Sequence, residues 1–84
     1  MSRLEEIAEA AQRAYARHYD EDGVTVAADI LEGRWTEDVA AGLCLILGYK
    51  LHGVVAPALF GSCMDPDLIQ PLCEALLAEA LEEL

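Results

Sequence analysis

Residues 39–49 carry no charged side chain, in an 84-residue chain whose formal net charge is −11. A segment apolar on every side has to be enclosed, either by the rest of its own chain or by a second copy. That requirement constrains the fold more than any other feature. The run Leu43-Cys44-Leu45-Ile46-Leu47 is short enough to serve as a buried strand or a buried helix, and periodicity alone does not separate the two. The residues before it favour a helix. Thr36 is an N-cap type, and Glu37 and Asp38 place carboxylates in the first turn, where the helix dipole stabilises them. The spacing therefore predicts a helix over about 37–51, closed by Gly53, with no evident partner strand.

The flanking segments read as helices of the ordinary amphipathic kind. Residues 2–19 begin with Ser2 and, three residues on, Glu5, the pattern of a capping box. Leu4, Ile7, Ala8, Ala11, Tyr15 and His18 recur at helical spacing and form one apolar stripe, with Glu9 and Arg13 four apart on the solvent side. The run Asp20-Glu21-Asp22-Gly23 breaks the helix. Residues 25–32 form a second one, with Thr25 as its cap, Val26, Ala27, Ile30 and Leu31 facing inward, and Gly33 as its stop. Residues 54–64 are a second apolar stretch with Pro57 at a first helical position. Asp65-Pro66 starts a last helix over about 66–83. There Leu68, Leu72, Leu76, Ala80 and Leu84 line one side with Ile69, Cys73 and Leu77 beside them, and Pro71 calls for a bend or a late start.

These elements add up to an all-α fold: one domain over 1–84, a compact bundle of four or five short helices. A chain this short buries only about 60–65% of its unfolded surface, so dimerisation is an economical further source of stability. The hydrophobic fraction of 55% and mean hydropathy of +0.25 are too high for a disordered chain. Three cysteines, Cys44, Cys63 and Cys73, form an odd set without a CxxC pair, all in apolar surroundings. Buried, reduced thiols in a cytoplasmic protein follow from that pattern, rather than a disulfide framework. The first residues read as an acidic amphipathic helix and not as a secretory leader.

Residues 39–64 are long enough for one membrane span, but Lys50 would sit near its middle at a cost of about 2.5–3.5 kcal/mol, and Gly53 and Pro57 interrupt it. No membrane association is expected. Residues 18–29 match a calcium loop only superficially, with Asp20, Asp22 and Gly23 in place. His18 would be the first ligand and Asp29, not a bidentate Glu, the last. Cys44, His52, Cys63 and Cys73 are zinc-ligand types without the close pairs that seed such a site. Cys44 and His52 would lie about 12 Å apart along one helix, too far for a nucleophile–base pair. Ser62 lacks the G-x-S-x-G elbow, and no phosphate-cradling glycine loop is present. No metal, no cofactor and no catalytic activity are expected.

The size and acidity are similar to those of acyl carrier proteins, but those attach their prosthetic arm to a Ser in an Asp-Ser-Leu motif. Here Ser62 stands between Gly61 and Cys63, so the resemblance ends at composition. The sequence pI of 4.2 excludes direct binding to DNA or RNA through a basic footprint. From residue 35 onward eight acids stand against Lys50 alone. Glu79, Glu82 and Glu83 crowd the negative pole of the last helix, where each costs about 0.3–1 kcal/mol at low salt. A solubility role accounts for excess charge in general. Carboxylates placed against helix stability point further, to a surface that imitates a phosphate backbone and competes for a basic groove. In charge and size alone this resembles phage-encoded acidic inhibitors of the anti-CRISPR and anti-restriction type. The expected partner is then the basic surface of a nucleic-acid-binding protein. The expected contacts are Glu5, Glu6, Glu9, Asp20, Glu21, Asp22, Glu79, Glu82 and Glu83, with Arg34 and Trp35 as an aromatic–basic anchor or, for Trp35, a lid over the core. The competing expectation is a structural or regulatory subunit that self-associates, as a homodimer for instance, through the uncharged third helix and residues 54–64.

Overall fold

The computed structural model describes residues 2–20, 25–48 and 66–84. Within them the chain forms four α-helices and no strand: α1 (Arg3–Tyr19), α2 (Val26–Glu32), α3 (Glu37–Leu47) and α4 (Pro66–Glu83). The apolar run 43–47 is helical. The stretch 54–64, with Pro57, Ser62 and Cys63, lies outside the described residues, as do Lys50, His52 and Gly53.

The capping box at Ser2 is formed: the Glu5 amide donates to Ser2 Oγ at 3.1 Å, and the Ser2 amide donates to Glu5 Oε1 at 3.3 Å. Ile7, Ala8, Ala11 and Tyr15 are buried along one face of α1, and Leu4 packs half-buried against them. His18 departs from the expected stripe. It is exposed and meets the Tyr19 ring edge-on, because α1 outruns the core in its last turn. Asp20 closes the helix in the left-handed region, at φ 53°.

α2 is not capped as its sequence implies. Thr25 has φ −110° and ψ 23°, away from the extended cap geometry, and makes no side-chain bond to the helix backbone. Gln12 of α1 supplies the acceptor instead, taking the Ala27 amide at 3.0 Å on its Oε1. The Thr25 hydroxyl turns to Asp29 Oδ2 at 3.4 Å. Val26 and Ile30 are buried, but Leu31 is 48% exposed, so the inward face of α2 is narrower than expected. Asp29 is buried on that face as well, an uncommon place for a carboxylate.

The Thr36 cap holds α3, its Oγ1 accepting from the Val39 amide at 3.2 Å. The helix ends earlier than the expected Gly53. Gly48 stops it at φ 83°, a conformation that costs any residue with a Cβ, and its amide bonds back to Cys44 and Leu45. Residues 39–44 are buried and 45–47 half-buried, so α3 is the central element, packed against α1, α2 and α4. It comes close to α1 at Gly42. A Cβ built on Gly42 would stand 3.0 Å from the Ala11 carbonyl oxygen and 3.3 Å from Val26 Cγ1. Glycine and alanine at this crossing bring the two backbones together.

α4 starts at Pro66 and continues through Pro71 without a late start. Pro71 is exposed and falls in the second turn, where its ring removes a single ladder bond. The buried stripe is Ile69, Cys73, Leu76 and Ala80, spaced four, three and four. Leu68 and Leu84, expected on the inner side, are 53% and 50% exposed. Leu76 and Ala80 keep the expected row, but in the first turns the stripe is rotated by about one residue, to Ile69 and Cys73. No helix among the described residues is long and apolar enough to cross a membrane.

Candidate protein-docking surface

The two ends of the described chain meet. Arg3, in the first turn of α1, donates from Nη2 to the Leu81 carbonyl oxygen at 3.3 Å, across 78 residues of sequence. That carbonyl lies in the last turn of α4, one of the four that an α-helix leaves without an internal donor. A guanidinium there satisfies it and offsets the negative pole that Glu82 and Glu83 would otherwise worsen. The contact brings the exposed Glu82 and Glu83 to the end of the molecule where the exposed Glu5 and Glu6 emerge, with Glu9 one turn further along α1. Five of the expected contact residues thus belong to one end of the fold.

The others divide differently. Asp20 stands at the opposite end of α1, about 25 Å away over seventeen residues. Glu21 and Asp22 lie outside the described residues. Glu79 is half-buried, next to the fully buried Ala80.

Arg34 is held by its own chain. Its Nε donates to Asp29 Oδ1 at 3.1 Å, and its Nη2 pairs with Glu32. Its amide donates to the Asp29 carbonyl oxygen at 2.8 Å. Asp29 therefore gathers Thr25, Arg34 and the end of α2 into one knot, and the guanidinium already has two carboxylate partners. Trp35 is half-buried against the core, which is the lid placement rather than a projecting anchor. A sequence reading treats Asp29 as one more acid in a polar cluster. The Arg at i+5, just past the helix stop, is the signal that marks it as paired.

A second group was not assembled by sequence reasoning. Tyr15 Oη donates to Asp38 Oδ1 at 2.8 Å, linking α1 to the first turn of α3. The Tyr19 ring stacks on Tyr15 with centroids 4.5 Å apart and planes at 38°, and His18 meets Tyr19 at 4.7 Å and 80°. Burial, followed by the Asp38 carboxylate, raises the Tyr19 phenol above its ordinary value. The i, i+4 tyrosines are visible in sequence; their meeting with a carboxylate 23 positions on depends on how α1 crosses α3.

Cys44 and Cys73 are free thiols with no solvent exposure, on α3 and α4. Cys73 Sγ donates to the Thr36 carbonyl oxygen at 3.6 Å. Burial pushes Cys73 up to about 12, with the Cys44 thiol and Glu74 adding to it. Burial and then Glu79 push Cys44 up to about 11. At neutral pH both are neutral apolar packing groups, not nucleophiles. Among the described residues no three His, Cys, Asp or Glu side chains converge as a metal site, and every buried side-chain nitrogen or oxygen has a partner. Compared with known proteins, the chain matches no family model, no curated protein sequence and no solved structure.

Proposed function

We propose that the chain is a non-enzymatic interaction protein whose carboxylates occupy the basic, nucleic-acid-binding surface of a target protein, in a reducing, cytoplasmic setting. The observation that carries the reading is the Arg3–Leu81 contact, which gathers Glu5, Glu6, Glu9, Glu82 and Glu83 at one end of a rigid helical frame. Acids fixed on helices hold their spacing without the entropy cost of ordering a loop, and so can stand in for phosphates against a cationic groove. A strongly negative chain is also steered to such a groove from a distance. The parallel with acidic anti-CRISPR and anti-restriction inhibitors is one of strategy, in charge and size.

The test is affinity capture from a cell lysate at low and at high salt, followed by challenge of the captured proteins with duplex DNA. The reading expects basic, nucleic-acid-binding partners that are lost at high salt and displaced by DNA. Partners that are neither basic nor displaced contradict it.

A second reading has its own observation. Leu68 and Leu81 of α4 and the following Leu84 are exposed large apolar side chains, so self-association would use these rather than the expected third helix, which its own chain encloses. A sedimentation series over protein concentration separates the two, since apolar docking persists at high salt where charge-led docking fades.

A further inference from the structure

We propose that the last turn of α1 and the first turn of α3 form a guanidinium site, in which the Tyr19 ring and the Asp38 carboxylate together seat an arginine side chain of the basic partner. The inference rests on the docking function above and adds a specificity element that general acidity lacks.

The site has two parts held in fixed relation. Asp38 is exposed at the start of α3, and Tyr15 fixes it by donating to Oδ1 at 2.8 Å. A carboxylate offers about four acceptor positions, and Tyr15 uses one of them. Among the described residues Asp38 is in no ion pair within 4.0 Å. Arg34, the cation nearest to it in sequence, is bound to Asp29 and Glu32. Tyr15 joins the carboxylate to the Tyr19 ring: its hydroxyl reaches Asp38 while its ring packs against that of Tyr19, which is 37% exposed and in edge contact with His18. Burial and then the Asp38 carboxylate raise the Tyr19 phenol, in keeping with the link through Tyr15.

An exposed aromatic ring next to a fixed anion attracts a cation through the ring quadrupole and through the charge at once. Arginine fits this pair better than lysine. Its planar guanidinium lies flat on a ring while its in-plane N–H groups reach a carboxylate, and it sheds water more readily than an ammonium. A carboxylate without a ring beside it gives no such reason to distinguish the two cations.

Calorimetric titration of the full chain with an oligo-arginine peptide and an oligo-lysine peptide of equal length tests the site. The expected result is binding of both, with oligo-arginine about two- to fivefold tighter, the range a cation–π contact supports at an exposed site. Tyr19→Leu is expected to erase the preference, the oligo-arginine affinity falling to about that of oligo-lysine. Asp38→Asn, nearly isosteric, is expected to reduce the preference as well, which guards against a folding defect in the Tyr19 variant. Equal binding of the two peptides by the wild type, or a preference that survives Tyr19→Leu, overturns the site while leaving charge-led docking intact. Binding of neither peptide overturns the site and the docking function together.

Discussion

Arg3 Nη2 donates to the Leu81 carbonyl oxygen at 3.3 Å, tying the first turn of α1 to the last turn of α4. The bond is exposed, so its own strength is modest, but it is the cation set among the terminal carboxylates. Arg3→Met is expected to lower stability by about 0.5–1 kcal/mol. That is a drop of about 2–8 °C in Tm for a domain of this size. The loss should be larger at low salt, where repulsion among Glu5, Glu6, Glu82 and Glu83 is least screened. Thermal melts at two ionic strengths check this; an unchanged Tm at low salt would show that the ends are not held by this contact.

The α1–α3 crossing has no room for a methyl group at Gly42. The Cβ of alanine would meet the Ala11 carbonyl oxygen at 3.0 Å, and a backbone atom cannot swing aside. Gly42→Ala is expected to destabilise by about 1–3 kcal/mol through overpacking, more than the helix-propensity gain of about 1 kcal/mol returns. Urea unfolding reads the sign directly, and a raised midpoint would mean that the crossing has slack.

Much of this fold was legible in the chain. The Ser2 and Thr36 caps, the stripe Ile7, Ala8, Ala11 and Tyr15, and the start of α4 at Pro66 follow from local patterns, and local patterns are what helices are built from. Most of the failures share one cause. Gln12 capping α2, Asp29 turning inward, Tyr15 reaching Asp38 and the rotation that exposes Leu68 all depend on how helices are set against each other, which no single-helix periodicity encodes. Gly48 rather than Gly53 ends α3 for a local reason: the earlier glycine already takes the left-handed conformation that a helix stop needs. The docking surface was legible as composition but not as place. The clusters at Glu5, Glu6, Glu9 and at Glu82, Glu83 sit at opposite ends of the sequence, and only Arg3 reveals that they share one end of the molecule.

Arg34 is engaged by its own fold, through Asp29 and Glu32. Arg34→Met strips Asp29 and Glu32 of their cation, and is expected to cost about 1 kcal/mol after allowance for the exposure of the guanidinium. Asp29→Ala, which also strands the Thr25 hydroxyl, is expected to cost about 1–3 kcal/mol. Denaturation measured alongside peptide binding checks the assignment: stability should fall in both variants, while oligo-lysine affinity holds or rises in Arg34→Met, which loses a positive charge, and falls in Asp29→Ala by no more than the loss of one carboxylate explains. A folded, fully stable Arg34→Met variant that no longer binds would return Arg34 to the docking surface.

The buried thiols predict an alkaline limit. Both have folded values raised above the ordinary 9.0, to about 11 for Cys44 and about 12 for Cys73. The folded state therefore holds these protons more tightly than the unfolded chain. Their contribution to stability is whole below pH 9 and is lost as pH rises through 11 to 12. Wild type should lose stability over that window more steeply than the Cys44→Ala, Cys73→Ala double variant, which starts lower because of its cavities. Equal slopes would mean that the thiols reach water.

The central claim is that carboxylates at the joined ends of α1 and α4 dock on a cationic protein surface. The most direct measurement is the affinity of the wild type and of the Glu82→Lys, Glu83→Lys double variant for one captured basic partner, at low and at high salt. The account predicts strong binding by the wild type that weakens sharply with salt, and a variant that folds normally yet binds far more weakly at low salt. Equal affinity of the two proteins, insensitive to salt, would contradict it.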